Sequence, residues 1–433
     1  MFGIERIGRF NGAPWYLGIL FACLLVAGVA GNMLQLSVLF NVHFVFGSVA
    51  VMLAVAWLGT WPAVLIGVTS GVYTYVFWEN PVTVMVFILE ALVVSWLYHH
   101  KVKNLIIAAL IFWTAIAAPI DFLLLPLWLG WSQELTLLVY LKQAINGVFN
   151  AVIASAIIII CGLSQRSWLP TAGALLRLKH LLFCALLSVT LMTGIPLILY
   201  EGHAMRQGQE NFVNQTLNAM GNELVGRLSE PGADQRFVYH IGRVRADSNV
   251  NIGLIDAEGE LLAQVGHLNS LTLASGDELI DLDERMRMWL PGNLDTPAVR
   301  FSQGFYTLQL PARGVGGVDH ILLETPALPT VRAMEAYRTV LFAMLAAVLI
   351  FGIVAAELLS RMITQPLTRL GKKGRTLSDS IAKGKTPKLP DSRIVEFQQL
   401  SNLLGAMSAE LSDAFKRLRH TQSNLEREVD QRT

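Results

Sequence analysis

Long apolar runs alternate with polar stretches along the chain, and eight of these runs approach the length of a membrane-spanning helix. Such a helix needs about 20 largely apolar residues. We predict spans at positions 14–36, 41–58, 60–77, 81–98, 104–129, 135–163, 179–200 and 338–360. A tight turn at Gly59–Pro62 separates the second span from the third. The pattern predicts a polytopic α-helical membrane protein with about eight spans.

Polar residues 201–337 lie between the last two spans, and they are numerous enough for one compact domain. Residues 204–229 have apolar positions at a helical period, which predicts a helix that continues from the seventh span. Strand-like runs follow: VNIGLIDAEGELLAQVG, with a turn at Asp256–Gly259, then PAVRFSQGFYTLQL and DHILLETPA. The run DELIDLDERMRMWL predicts a short helix between them. Together these elements predict an α+β domain with a small mixed sheet.

Two amphipathic segments follow the last span. Each has a single apolar stripe, so neither is stable as an isolated helix in water. Beyond them, six residues are spaced at intervals of 4, 3, 4, 3 and 4: Leu411, Phe415, Leu418, Gln422, Leu425 and Val429. This spacing is typical of the a and d positions of a parallel coiled coil. It predicts that two copies of the chain pair as a homodimer.

The charged residues are distributed unevenly, and they predict the orientation in the membrane. Only 13 of the 65 Asp, Glu, Lys and Arg residues precede position 201, and seven of the eight basic ones among them lie at span ends that would face the cytoplasm. Residues 201–337 contain 18 acidic residues, 10 arginines and no lysine, whereas 14 basic and 8 acidic residues follow position 360. We expect a multi-pass protein of the bacterial inner membrane, surrounded by lipid, with both termini cytoplasmic and residues 201–337 extracytoplasmic.

This composition excludes several classes of protein. A 200-residue apolar half could not be covered by its own polar surface, which excludes a soluble enzyme, a secreted disulfide scaffold and a disordered chain. The net charge of +1 is the sum of an acidic exterior and a basic interior, so we expect no nucleic-acid partner.

The segment after the last span resembles a HAMP domain. Pro366 in ITQPLTRL matches the proline that begins the first helix of the family. The connector and the second helix, which opens with an acidic residue, match at Gly384, Glu396, Leu400 and Met407. The chain departs from the family in lacking the usual Asp-Glu pair and in having Gly405 where Asn is usual. The resemblance implies a four-helix bundle of two chains, with signal relay through Pro366, Glu396, Leu400 and Met407.

Other stretches resemble parts of bacterial receptors. Residues 201–337 resemble PAS-like sensor domains of the Cache group, with NIGLIDAEGELLA as their central strand pair. FVFGSVAVMLAVAWLGTWPAVLIG, GVYTYVFWENPVTVMVFILEALVV and LKQAINGVFNAVIAS resemble the multi-span sensory modules of histidine kinases and diguanylate cyclases. The stretch LEREVDQRT resembles the linker that precedes an output domain. The resemblance implies a signal-transducing receptor that is the sensory half of a longer protein or acts through partners, such as a response regulator.

These interpretations give one domain organisation. We expect a six-span membrane sensor module, the seventh span, a Cache/PAS-like domain, the eighth span, a HAMP domain and a coiled-coil linker. Their bounds are 1–170, 171–200, 201–337, 338–360, 361–412 and 413–433.

Five polar residues inside the predicted spans form the main candidate site. Such residues are costly in a membrane and face a cavity or each other. Glu90 lies in the fourth span and Asp121 in the fifth, while Lys142, Asn146 and Asn150 share one face of the sixth because they are four residues apart. Lys142 could pair with Glu90 or with Asp121. The five predict a site for an unidentified small ligand or ion; the alternative is an ion pair and amide hydrogen bonds that only fix the packing.

A second candidate site lies in the extracytoplasmic domain. Arginine and tyrosine side chains can grip a small carboxylate. The candidates are Tyr239, Arg243, Arg245, Arg300 and Tyr306. The alternative is that they are solvated charges and core aromatic residues.

The sequence contains no catalytic motif, metal-ligand cluster or cofactor motif, so we predict no catalytic residue, metal or cofactor within these residues. Kinase or cyclase activity would belong to an output domain. Two other classes of function stay open, namely a transporter-like membrane module with a regulatory extracytoplasmic domain, and a passive assembly scaffold.

Overall fold

The structure is a computed structural model that describes residues 14–39, 42–78, 80–164, 178–229, 249–271, 273–292, 297–315, 317–375 and 394–430. The chain divides into two compact units. The first comprises Met1–Ala174 and Ser188–Leu349, and the second comprises Leu175–Leu187 and Ile350–Thr433.

The N-terminal apolar part of the first unit folds into helices. The described residues up to 164 form α1 Pro14–Met33, α2 Gly47–Trp57, α3 Thr60–Trp78, α4 Pro81–His100, α5 Leu105–Phe112, α6 Ala118–Leu129 and α7 Gln133–Leu163. A π-helical segment, Trp113–Ala117, joins α5 to α6. Asn80, Asn104 and Ser132 precede α4, α5 and α7, and each side chain accepts a hydrogen bond from an amide of the first turn. Polar caps therefore define where these apolar helices begin.

A short hairpin separates α1 from α2. Strand β1, Leu36–Leu39, pairs antiparallel with β2, Val42–Phe44. The prediction of a helical span over 41–58 is therefore wrong in its first part, because the helix begins only at Gly47. Asn32 of α1 explains this start: its Oδ1 accepts the Gly47 amide at 2.8 Å, and its Nδ2 donates to the Ser70 carbonyl at 2.9 Å. One buried amide thus links α1, α2 and α3.

Two long helices and one sheet complete the first unit. Most of helix α8, Leu178–Leu228, and the first part of helix α10, Leu328–Arg375, belong to this unit, and the remaining residues of both helices belong to the second. Between them lie β3 Asn251–Ile255, β4 Leu261–Val265, β5 Glu278–Asp281, β6 Met286–Leu290, the short helix α9 Pro297–Ser302, β7 Phe305–Val315 and β8 Val318–Pro326. The strands form one sheet in the order β4-β3-β8-β7-β6-β5, and every pair is antiparallel.

The sheet confirms some predictions and corrects others. The Asp256–Gly259 turn does join two paired strands, β3 and β4, and DHILLETPA does form a strand, β8. The expected helix in 277–290 is wrong, because this segment forms β5 and β6. The beginning of PAVRFSQGFYTLQL is helical, and the sheet is antiparallel rather than mixed. Strand β6 pairs with β5 and β7, so its backbone groups are satisfied on both edges, which outweighs a local preference for helix.

Helix α8 continues out of its apolar part, as predicted, and it packs on the sheet. Leu217 and Leu224 of α8 are buried, and Gly221 lies so close to Leu310 and Leu323 that a Cβ there would collide with Leu310. Ile252, Leu308 and Ile321 complete the core beneath the helix.

Six helices among the described residues are long and apolar enough to cross a membrane. They are Trp15–Met33, Pro81–His100, Leu105–Leu129, Gln133–Leu163, His180–Leu228 and Leu328–Lys373. The other two predicted spans fall on α2, which has only 11 residues, and on α3.

The described C-terminal part of the second unit is the helix α11, Val395–Asp430. Its apolar residues Leu403, Met407, Leu411, Phe415 and Leu418 are exposed. Three serines of the same helix, Ser401, Ser408 and Ser412, are buried instead.

Candidate functional site

Glu90 lies within α4 and is almost fully buried, with an exposed fraction of 1 %. Ser48 Oγ of α2 donates to its Oε2 at 2.6 Å, and Trp113 Nε1 donates to its Oε1 at 2.9 Å. Both carboxylate oxygens therefore have donors from other helices. These two buried hydrogen bonds link α2, α4 and the π-helical segment.

Trp113 reaches Glu90 because α7 has no side chain at Gly147. The indole lies against Gly147, and a Cβ at this position would collide with its Nε1 and Cε2 atoms. The Trp113 carbonyl accepts from the Ala118 amide, in the π-helical pattern, and from the Tyr140 hydroxyl at 3.3 Å. Single-turn π-helical segments are frequent at functional sites.

Lys142, Asn146 and Asn150 line one face of α7, as their spacing predicts, and all three donate to the backbone before α2. Lys142 Nζ donates to the His43 carbonyl at 3.0 Å. The Nδ2 atoms of Asn146 and Asn150 both donate to the Val45 carbonyl, at 2.9 and 3.0 Å. The Val45 carbonyl lies just before the first turn of α2, and the His43 carbonyl belongs to strand β2. In an apolar environment such groups must be satisfied internally, and α7 supplies the donors.

Asp121 lies in the first turn of α6 and is 1 % exposed. Neither of its oxygens has a hydrogen-bond partner among the described residues. Lys142 and Asp121 interact electrostatically. However, in the described part of the chain no ion pair joins Lys142 to either acid that the sequence proposed for it. The structure thus brings Lys142, Asn146, Asn150 and Asp121 into one region, while Glu90 has its own donors.

The candidates within residues 201–337 do not converge on a site in the described residues. Tyr239, Arg243 and Arg245 lie outside those residues. Arg300 Nε donates to the Pro291 carbonyl at 2.7 Å, and its Nη2 lies 3.5 Å from Glu278, so it links α9 to β5 and to the end of β6. Tyr306 is buried in the sheet, and burial raises its pKa, with a further contribution from the Glu210 charge.

One buried acid in the sheet was missed from the sequence. Glu324 of β8 is fully buried, and its carboxylate accepts the amides of Asn269 and Ser270 at 2.8 Å each as well as the Ser270 hydroxyl. It fixes the loop that follows β4. Because both oxygens are occupied by the loop, Glu324 stabilises the domain rather than offering a free ligand.

The two long helices meet closely where α10 leaves the sheet. The Arg338 guanidinium of α10 occupies the space that a side chain at Gly202 of α8 would need. Arg338 is 4 % exposed, and its Nη1 has no hydrogen-bond partner among the described residues. Beside it, Tyr337 donates to Glu201 at 3.5 Å. This contact, which we call the Arg338–Gly202 junction, joins the helix before the sheet to the helix after it.

The residues proposed for signal relay lie on α10 and α11. Pro366 is inside the continuous helix α10 and does not begin a separate helix. Glu396 lies in the first turn of α11, as predicted, and Leu400 and Met407 are exposed. Gly384 lies outside the described residues. Within the described part of the chain, no group of three or more His, Cys, Asp or Glu side chains could hold a metal ion.

Comparisons with protein-family models, with curated proteins and with solved structures find no match to the chain. Its class follows from its own helices. In the part of the chain that the structure describes, six helices are long and apolar enough to cross a membrane, and polar contacts between helices are buried within the N-terminal bundle. The chain is a helical, membrane-embedded protein.

Proposed function

We propose that the chain is a signal-transducing receptor of the bacterial inner membrane, the sensory part of a histidine kinase or diguanylate cyclase. In this proposal it crosses the membrane eight times, with both termini in the cytoplasm. A PAS/Cache-like domain in 201–337 lies outside, and a HAMP domain in 361–412 and a coiled coil pair two copies inside.

The observation that carries this proposal is the apolar seam of α11, which we define as Leu411, Phe415 and Leu418. All three side chains are about half exposed or more. They occupy a and d positions, and a Leu side chain gains about 1.5–3 kcal/mol when it is fully buried. The buried residues of α11 are instead three small serines, Ser401, Ser408 and Ser412, among those the structure describes. A second copy of the same helix would bury the seam, which is the arrangement expected of a parallel coiled coil.

A second feature supports transmission along the chain. Strand β8 lies near the centre of the sheet, between β3 and β7, and only Ala327 separates it from α10. The Ala327 amide donates to the Gly304 carbonyl at 2.8 Å, and the Val331 amide donates to the Ala327 carbonyl at 2.9 Å. The sheet and the helix are therefore joined without a flexible linker.

Disulfide cross-linking of the full-length chain in native membranes tests the pairing. In a background with its three cysteines replaced by serine, Leu411→Cys and Leu418→Cys should give efficient cross-linked dimers. Asp413→Cys and Lys416→Cys are matched controls, because both residues are exposed on α11 and lie outside the a and d positions. Equal cross-linking at seam and control positions, or none at the seam, would contradict the receptor proposal.

A transporter-like module is the second candidate, and the buried polar residues favour it. Discontinuous helices and buried charged groups mark substrate pathways in transporters. Here a π-helical segment interrupts the α5–α6 helix near Asp121 and Lys142. Substrate uptake into vesicles by a chain cut before Val395 would favour transport over signalling, since that chain lacks the seam.

A further inference from the structure

Asp121 is a buried acid to which no described residue donates a hydrogen bond. Both of its oxygens are without a hydrogen-bond partner in the part of the chain that the structure describes. The hydroxyl of Tyr140, which lies near Asp121, donates to the Trp113 carbonyl instead. A carboxylate buried in this way is costly unless a bound group supplies donors or positive charge.

Lys142 has the opposite feature, since it is a buried ammonium with more N–H donors than the described residues supply acceptors for. Its ammonium has three N–H donors, and the one hydrogen bond found for it goes to the His43 carbonyl. It is 6 % exposed, so bulk water does not satisfy the remaining donors. Lys142 and Asp121 interact electrostatically without forming an ion pair among the described residues. The Lys142 ammonium and the Asp121 carboxylate are therefore more than 4.0 Å apart, and we call this separation the gap.

The neighbouring amides make the region rich in acceptors. Asn146 and Asn150 both use Nδ2 on the Val45 carbonyl, and since only an NH₂ group can donate to a carbonyl, each amide has its Oδ1 directed elsewhere. Both Oδ1 atoms are buried without a donor in the described structure. A ligand that fits here must bring hydrogen-bond donors toward Asp121 and an acceptor toward Lys142.

We propose that the gap between Asp121 and Lys142 binds a small zwitterion, with its ammonium group on Asp121 and its carboxylate on Lys142. A lone cation would be repelled by Lys142, and a lone anion would leave Asp121 without a donor. A zwitterion satisfies both through charge-assisted hydrogen bonds and adds no net charge to an apolar region. An amino acid is the simplest ligand of this class.

This inference goes beyond the receptor proposal and does not depend on it, because a receptor and a transporter could both use such a site. Binding is therefore tested apart from signalling. The full-length chain in lipid nanodiscs is titrated with radiolabelled glycine and with β-alanine, which differ in the separation of their two charges. Thermal unfolding is followed in parallel.

Three control probes separate the chemical requirements. Glycine betaine has the same two charges but no N–H donor, methylammonium has only the cation, and acetate has only the anion. All are used below about 10 mM, where the general osmolyte effect on stability is negligible. We expect saturable binding of glycine or β-alanine with a rise in the unfolding midpoint, and no such rise with the three controls.

Variants then locate the site. Asp121→Asn and Lys142→Met should each abolish zwitterion binding, whereas Glu258→Gln, an exposed residue of the β3–β4 turn, should leave it intact. Asp121→Glu keeps the charge and narrows the gap, so a folded chain should bind with an affinity changed by about tenfold. The proposal is overturned if neither zwitterion binds, if betaine binds as well as glycine, or if binding survives both Asp121→Asn and Lys142→Met.

Discussion

The guanidinium of Arg338 rests on the backbone of Gly202, so that the α8–α10 contact depends on the absence of a side chain at position 202. Arg338 is also buried, and the neighbouring Arg206 is engaged with Glu210 at 2.7 Å. Two charged side chains of α8 and one of α10 therefore lie close together where the helices leave the sheet. A change in the relative position of the helices must rearrange these contacts.

Gly202→Ala should destabilise the protein, because its Cβ collides with the Arg338 guanidinium. Overpacking of this kind costs about 1–3 kcal/mol. Gly208→Ala is the matched control, since nothing lies within 4 Å of the Cβ position at Gly208 and Ala favours a helix. Thermal unfolding in detergent should show a lower midpoint for the first variant and an unchanged or higher one for the second. Equal midpoints would show that the Arg338–Gly202 junction tolerates a side chain.

Ser48→Ala should cost about 1–3 kcal/mol of unfolding free energy, because it removes a donor from a buried carboxylate. In a Glu90→Gln background the cost should shrink, and the difference gives the coupling energy between the two residues. Ser155→Ala serves as the control, since Ser155 Oγ only donates to the Ala151 carbonyl of its own helix. Chemical unfolding of Ser48→Ala, Glu90→Gln, the double variant and Ser155→Ala gives the unfolding free energies from which the cost and the coupling energy are calculated. Full additivity of the Ser48 and Glu90 changes would argue against the hydrogen bond.

Asn146 and Asn150 should be partly interchangeable, because both donate to the Val45 carbonyl. Replacing either one by Leu leaves one donor in place, so each single change should have a small effect. The double replacement leaves the carbonyl without a donor, which costs about 1–3 kcal/mol more than the sum of the two single changes. Unfolding free energies that simply add would contradict this shared acceptor.

Asp277 should make the domain that contains the six-stranded sheet sensitive to acid. The amides of Ala274 and Gly292 donate to its carboxylate and hold its pKa below the usual range, with Trp289 and Arg300 contributing. A lowered pKa in the folded state stabilises the fold above the unfolded value of about 3.9, and this stability is lost as the pH falls through the folded value.

The measurement is the unfolding midpoint of the full-length chain from pH 7 downward. Asp277→Asn should lower the midpoint at neutral pH and flatten its fall below about pH 4. Asp319→Asn, which changes a partly exposed acid beside His320, is the control and should keep the slope of the natural chain. An unchanged slope in Asp277→Asn would contradict the role given to the two amides.

Much of the helical framework could be predicted from the sequence, because the length of an apolar run and a polar cap are local properties. The failure at 277–290 has a physical cause. Its Glu, Leu, Arg and Met residues favour helix locally, but pairing of Met286–Leu290 with two other strands is a long-range contact that local propensity does not contain.

The candidate site was predictable only in part. Spacing placed Lys142, Asn146 and Asn150 on one helix face, yet their acceptors lie about 100 residues away in the chain. The hydrogen-bond donors of Glu90 could not be predicted. Ser48 and Trp113 lie in apolar runs, where a single hydroxyl or indole gives no signal that it bonds to another helix. Gly147 was the available signal, since a helix glycine can admit a large neighbouring ring.

The junction at Ala327 has a mechanical consequence. If several flexible residues connected β8 to α10, rotations about their backbone bonds would take up small displacements of the strand, and little of the motion would reach the helix. Here a central strand becomes a 48-residue helix across one buried residue whose amide and carbonyl are both held. Because the backbone of Ala327 is held on both sides, we expect a tilt of β8 to be passed on to the first turn of α10.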